Sequence, residues 1–140
     1  MPGYIRKTYV PSKVRTKPYG CLDFETYTLK DGTQRAYCLR VVSSQRGYTN
    51  IRRCDYDSEE DYNRAIIDYF RKYPSIYFSF NGKNFDHIIL NRILSLSNDI
   101  KPRIFVDGTV IRNIKWDGNI FLDITYWLPP LPWLIPLEHG

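Results

Sequence analysis

From residue 20 the chain alternates apolar and polar side chains, in the run Gly20-Cys21-Leu22-Asp23-Phe24-Glu25-Thr26-Tyr27-Thr28. A period of two predicts a strand with one buried and one open face, Leu22 and Phe24 on the first, Asp23 and Glu25 on the second. Asp31-Gly32 then reads as a turn, and Arg35 to Val42 as a second strand rich in Tyr, Leu and Val. Gln45-Arg46-Gly47 turns the chain again into a third strand over Tyr48 to Cys54. The three are expected to form an antiparallel meander.

The period then changes to that of a helix. Ser58-Glu59-Glu60-Asp61 is an N-cap followed by acids in a first turn, and Tyr62, Ala65, Ile66, Tyr69 and Phe70 follow as an apolar stripe at helical spacing. Lys72 suits the last turn and Pro74 ends the helix. Ile76 to Phe80 is a short apolar run of the kind found in buried strands, and a helix between two strands implies a parallel crossover. Asn81-Gly82-Lys83-Asn84 breaks that strand. A second helix is predicted from Asn84 as N-cap, with Phe85, Ile88, Ile89, Ile93 and Leu96 on its apolar face and Asp86 in its first turn. Beyond Pro102, Arg103 to Val106, Thr109 to Ile114 and Asn119 to Ile124 are short strands joined at Asp107-Gly108 and Asp117-Gly118. From Leu128 the chain becomes Leu-Pro-Pro-Leu-Pro-Trp-Leu-Ile-Pro-Leu, which excludes a helix or central strand and leaves a packed coil or a Pro-x-x-Pro ligand. The fold class is α/β with a mixed sheet flanked by helices.

Length suits one domain with its own core, and no apolar run is long enough to span a bilayer, so a soluble chain is expected. The parts are a basic lead-in at 1–17, a folded domain at 18–127 and a Pro-rich tail at 128–140. Arg6, Lys7, Lys13, Arg15 and Lys17 in the lead-in are unaccompanied by any acid, which fits a solvated leader, a targeting segment or a nucleic-acid arm. A formal charge of +5 favours an anionic partner, and twelve Tyr offer stacking surfaces as well as core. Cys21, Cys38 and Cys54 lack metal-ligand spacing and read as buried thiols in a reducing compartment.

The chemistry lies with the acids. Asp23 and Glu25 repel one another unless one is protonated or a cation lies between them, and hard oxygen ligands suit Mg²⁺ or Mn²⁺. Asp86 follows the end of a strand that the crossover should bring alongside, where α/β proteins gather their sites. Three converging carboxylates imply divalent metal, and two such ions serve phosphoryl transfer, here hydrolysis of a phosphodiester.

Asp23-Phe24-Glu25-Thr26 and Asn81-Gly82-Lys83-Asn84-Phe85-Asp86 resemble the first and second exonuclease motifs of the 3′-5′ proofreading domain in family B DNA polymerases. Phe121-Leu122-Asp123 followed by Leu128-Pro129 resembles the protein-primed branch found in linear plasmids, mitochondria and some phages. The resemblance covers roughly Tyr19 to Pro129. It implies a ribonuclease H-like fold, incomplete at the C-terminus, with Asp23, Glu25 and Asp86 as catalytic residues holding a two-ion Mg²⁺ or Mn²⁺ site. It also implies that Thr26, Asn81 and Phe85 grip a single-stranded DNA 3′ end, and it suggests a mitochondrial, otherwise cytoplasmic, location. The family draws a fourth carboxylate from a later Tyr-x-x-x-Asp helix, which does not appear before Gly140. A fragment with a weakened second ion, slow or undetectable hydrolysis and no DNA synthesis is therefore expected, its partner the remainder of the polymerase. Rival readings are a non-catalytic single-strand binding module, an inert plasmid-derived remnant and a standalone ribonuclease with the same acids.

Overall fold

The computed structural model describes residues 18–80 and 86–126. The basic lead-in, the tail with Trp127 and Trp133, and Asn84 as N-cap lie outside the described residues.

Strands β1 (Tyr19–Thr28), β2 (Gln34–Ser43) and β3 (Gly47–Arg52) form the expected antiparallel meander. Leu22 and Phe24 of β1 are buried while Asp23 is exposed, as alternation requires. Cys54 falls outside β3, in a 3₁₀ turn over Arg53–Asp55. Of the three thiols only Cys38 is buried; Cys21 and Cys54 are exposed, which corrects the expectation for them. Cys21 shares the open face of β1 with Asp23, so strand period outweighs the general preference of cysteine for interiors.

Helix α1 (Glu59–Lys72) begins at Ser58, whose Oγ accepts the Asp61 N–H at 3.1 Å. Replacing Ser58 with Ala is expected to cost about 1 kcal/mol, read as a lower midpoint in a guanidinium titration with unchanged slope. The stripe buries Tyr62, Ile66, Tyr69 and Phe70 as predicted, and adds Ile67. Strand β4 (Ile76–Ser79) then runs parallel to β1, with Cys21 opposite Phe78 as the last pair. Phe80, predicted inside this strand, lies past its end and is 77% exposed.

Helix α2 (Asp86–Leu94) is rotated relative to expectation. It buries Asp86, His87, Leu90 and Leu94 together with Ile89 and Ile93, while Ile88 is exposed and Leu96 lies exposed beyond the helix. Two polar residues at its start take the inward positions that hydrophobicity assigns to Ile88. His87 donates from Nδ1 to the Ile111 carbonyl at 2.9 Å, and burial pushes its pKa down, so it is a neutral core residue.

Strands β5 (Arg103–Asp107), β6 (Val110–Trp116) and β7 (Asn119–Asp123) complete a seven-stranded mixed sheet in the order β3-β2-β1-β4-β7-β6-β5. Asp117 and Gly118 both take positive φ, 45° and 82°, the turn geometry that joins two-residue hairpins. Strand β7 runs parallel to β4, with Tyr77 opposite Phe121 and Ser79 opposite Asp123. Asn119 fastens this junction, its Nδ2 donating to the Phe70 carbonyl at 2.9 Å and its Oδ1 accepting the Ser75 N–H at 3.0 Å. The core lies between the sheet and the two helices, around Phe70, Tyr77 and Phe121. No helix among the described residues is long and apolar enough to cross a membrane.

Candidate active site

Strands β1, β4 and β7 run parallel at the centre of the sheet, and acids from separate parts of the chain belong to them or follow them: Asp23 and Glu25 within β1, Asp86 at the start of the helix after β4, and Asp123 at the end of β7. On β1, Asp23 stands opposite Arg40 and Glu25 opposite Cys38 on the open face. Arg40 Nη1 lies 3.3 Å from Glu25 Oε2. Partial burial raises the Asp23 carboxyl above its usual range, the neighbouring Glu25 charge adds to this, and Arg40 opposes it. A bulge between Glu25 and Thr26 breaks the alternation just beyond the acids. Thr26 thereby follows Glu25 on a bent strand, half-buried opposite Ala36.

Asp86 opens α2 and is buried, 4% exposed. Because β4 stops at Ser79, β1 runs on past its last β4 partner, and the main-chain amide of Phe24 is near enough to favour the charged form of the Asp86 carboxyl. Asp86 therefore lies near the stretch of β1 that carries Asp23 and Glu25. Burial is the main reason its pKa is pushed up to about 7; the Asp23 charge is next, Asp123 and Glu25 contribute less, and the Phe24 amide holds it back. Burial and like charge together disfavour the charged form of this carboxyl, and a nearby cation would restore it.

Asp123 is an acid that sequence reasoning did not assign. It ends β7 beside Ser79, is fully buried, and its Oδ1 accepts from Thr125 N–H at 3.0 Å and Thr125 Oγ1 at 2.6 Å. Its field reaches both Asp86 and His87. The available signal was an Asp closing an apolar strand, but only the sheet order, which sets β7 beside β4, brings it near Asp86. Asn81 and Phe85 lie outside the described residues.

The donor set consists of carboxylate oxygens, the chemistry that Mg²⁺ or Mn²⁺ takes. Arg40 against Glu25 already shows a cation drawn to these acids. Among the described residues no three acidic, histidine or cysteine side chains form a ready-made cage for an ion. The residues suit a divalent ion by charge and ligand type.

In comparison with known families, residues 20–131 match a family model described as the RNase_H superfamily. The mixed seven-stranded sheet with its two helices agrees with that fold. No curated protein matches the chain.

Proposed function

We propose, for a chain that belongs to the RNase_H superfamily, that it is a metal-dependent nuclease domain of the 3′-5′ exonuclease type, related to the proofreading domain of protein-primed family B DNA polymerases. Members of the superfamily are usually nucleases, and these generally use divalent metals. The observation that carries the reading is the gathering of acids distant in sequence: Asp86, 4% exposed, lies within electrostatic reach of Asp23, Glu25 and Asp123.

Asp23, Glu25 and Asp86 would hold a divalent ion, which would supply Lewis acidity for activating water near neutral pH and for steadying the departing oxygen. The chain's own part is to position the oxygens. Strand β1 carries Asp23 and Glu25 on one face, and Asp86 at the start of α2 lies within electrostatic reach of both. Burial of Asp86 excludes water from one side of the cluster and strengthens every charge interaction within it. Thr26, at the bulge, would offer its hydroxyl to the sugar-phosphate of the terminal nucleotide.

The test is digestion of a 5′-labelled single-stranded oligonucleotide with Mn²⁺. A ladder shortening from the 3′ end, lost in EDTA and in both Asp23→Asn and Asp86→Asn, is expected. Cleavage that survives both substitutions, or Mn²⁺ binding unchanged by them, would overturn the reading.

A further inference from the structure

The open face of the meander carries more than the acid pair. Pairing sets Asp23, Arg40 and Asn50 in one row across the three strands and Glu25, Cys38 and Arg52 in the next. Beside these rows Tyr37, Arg40, Asn50, Arg52 and Arg53 line a groove of about 530 Å³. Arg40 and Arg52 are exposed, and none of the described elements covers them, since Leu22, Phe24, Leu39 and Val41 put the core on the opposite face.

The three guanidiniums are only partly committed. Arg40 meets Glu25 at 3.3 Å, Arg52 donates to both oxygens of Asp55 at 3.1 and 3.2 Å, and Arg53 Nη1 donates to the Tyr56 carbonyl at 2.9 Å. Three cations thus face two acids, and one of those acids, Glu25, belongs to the cluster read above as a metal site. A guanidinium fork matches phosphate oxygens in pairs, and a single-contact surface ion pair such as Arg40–Glu25 is weak enough to exchange.

We propose that this groove is the track along which the phosphate backbone of a single-stranded nucleic acid reaches the acids, with Arg40 passing from Glu25 to a backbone phosphate when that carboxylate is claimed by a divalent cation. The inference rests on the nuclease reading. Its reasons are charge complementarity and continuity, because a polyanion approaching several carboxylates needs cations beside them, and Arg40 stands directly across from Asp23. Cation and strand binding are then linked: each strengthens the other through Arg40.

The experiment is fluorescence anisotropy of a labelled oligothymidylate across a salt series, without metal and with Ca²⁺, an oxygen-seeking ion used so that the strand is not shortened during the titration. Replacing Arg40, Arg52 and Arg53 with Gln is expected to weaken binding at least about tenfold at low salt. It should also flatten the slope of log affinity against log salt by about 2, as three lost phosphate contacts imply for a single strand. Arg64→Gln, on exposed α1, should change neither. If the triple variant melts early by circular dichroism, the pair Arg40→Gln/Arg52→Gln, which leaves the Arg53 bond to Tyr56 in place, takes over with a slope change of about 1.4. Ca²⁺ should tighten strand binding several-fold in the native protein and not in Arg40→Gln, which should itself bind Ca²⁺ more tightly.

Native affinity and slope in a folded groove variant would overturn the proposal, and an undiminished Ca²⁺ effect in Arg40→Gln would overturn the exchange. Undiminished binding by the groove variant, with Asp23-dependent hydrolysis intact, would remove the groove and leave the nuclease. Groove-dependent binding with no hydrolysis by the native protein would do the reverse.

Discussion

Asp86→Asn is expected to abolish metal-dependent hydrolysis while making the metal-free fold more stable at pH 8. Losing one oxygen ligand to a catalytic ion removes several kcal/mol of transition-state stabilisation, a fall in rate of about a hundredfold or more. The stability change has the opposite sign. The Asp86 carboxyl is raised from 3.8 to about 7 in the folded chain, so the native state binds its proton more tightly than the unfolded state does. The contribution of that proton to stability is complete below about pH 4 and is lost as pH rises through about 7. At pH 8 the folded chain must hold a buried carboxylate beside other acids, a burden of roughly 2–4 kcal/mol. Asn keeps an oxygen for the Phe24 N–H and removes the charge. Guanidinium titrations in EDTA should therefore show the variant gaining on the native protein between pH 4 and pH 8. A difference that does not change with pH would mean that Asp86 carries no such burden.

Phe70→Ala should have the largest effect on folding. Phe70 is fully buried in α1, its ring edge-on to Tyr77 and Phe121 at 5.0 Å each, and those two rings are the central pair of β4 and β7. Truncation removes the ring's transfer energy and leaves a cavity where helix meets sheet, at a cost of about 3–5 kcal/mol. Because a domain of this size has only about 5–15 kcal/mol in total, the denaturation midpoint should fall steeply and the variant should accumulate poorly. A midpoint within experimental error of the native one would show that helix and sheet do not meet through this ring.

Strand period and helix capping made much of the fold legible. The faces of β1, the Ser58 start of α1 and the turns at Asp31-Gly32 and Asp117-Gly118 all follow from local chemistry that needs no tertiary information. The phase of α2 did not, because hydrophobicity ranks Ile88 above Asp86 and His87. One contact on the inward side is His87 Nδ1 to the Ile111 carbonyl, a main-chain group distant in sequence. Asp123 was hidden for a related reason. A β5-β6-β7 hairpin series can join either edge of a sheet, and only its insertion beside β4 gives the last residue of β7 a place near Asp86. The open-face arginines were individually visible as charge, but their gathering into one groove depends on the register of β2 with β3.

Whether the acids act on one ion is decided most directly by calorimetric titration of Mn²⁺ into the native protein, Asp23→Asn and Asp86→Asn. If the carboxylates of β1 and α2 share a cation, either substitution alone should weaken binding by at least about tenfold while both variants keep their native circular dichroism. Native Mn²⁺ affinity in a folded Asp86→Asn would mean that Asp23 and Asp86 do not meet around an ion, and the proposed active site would fall.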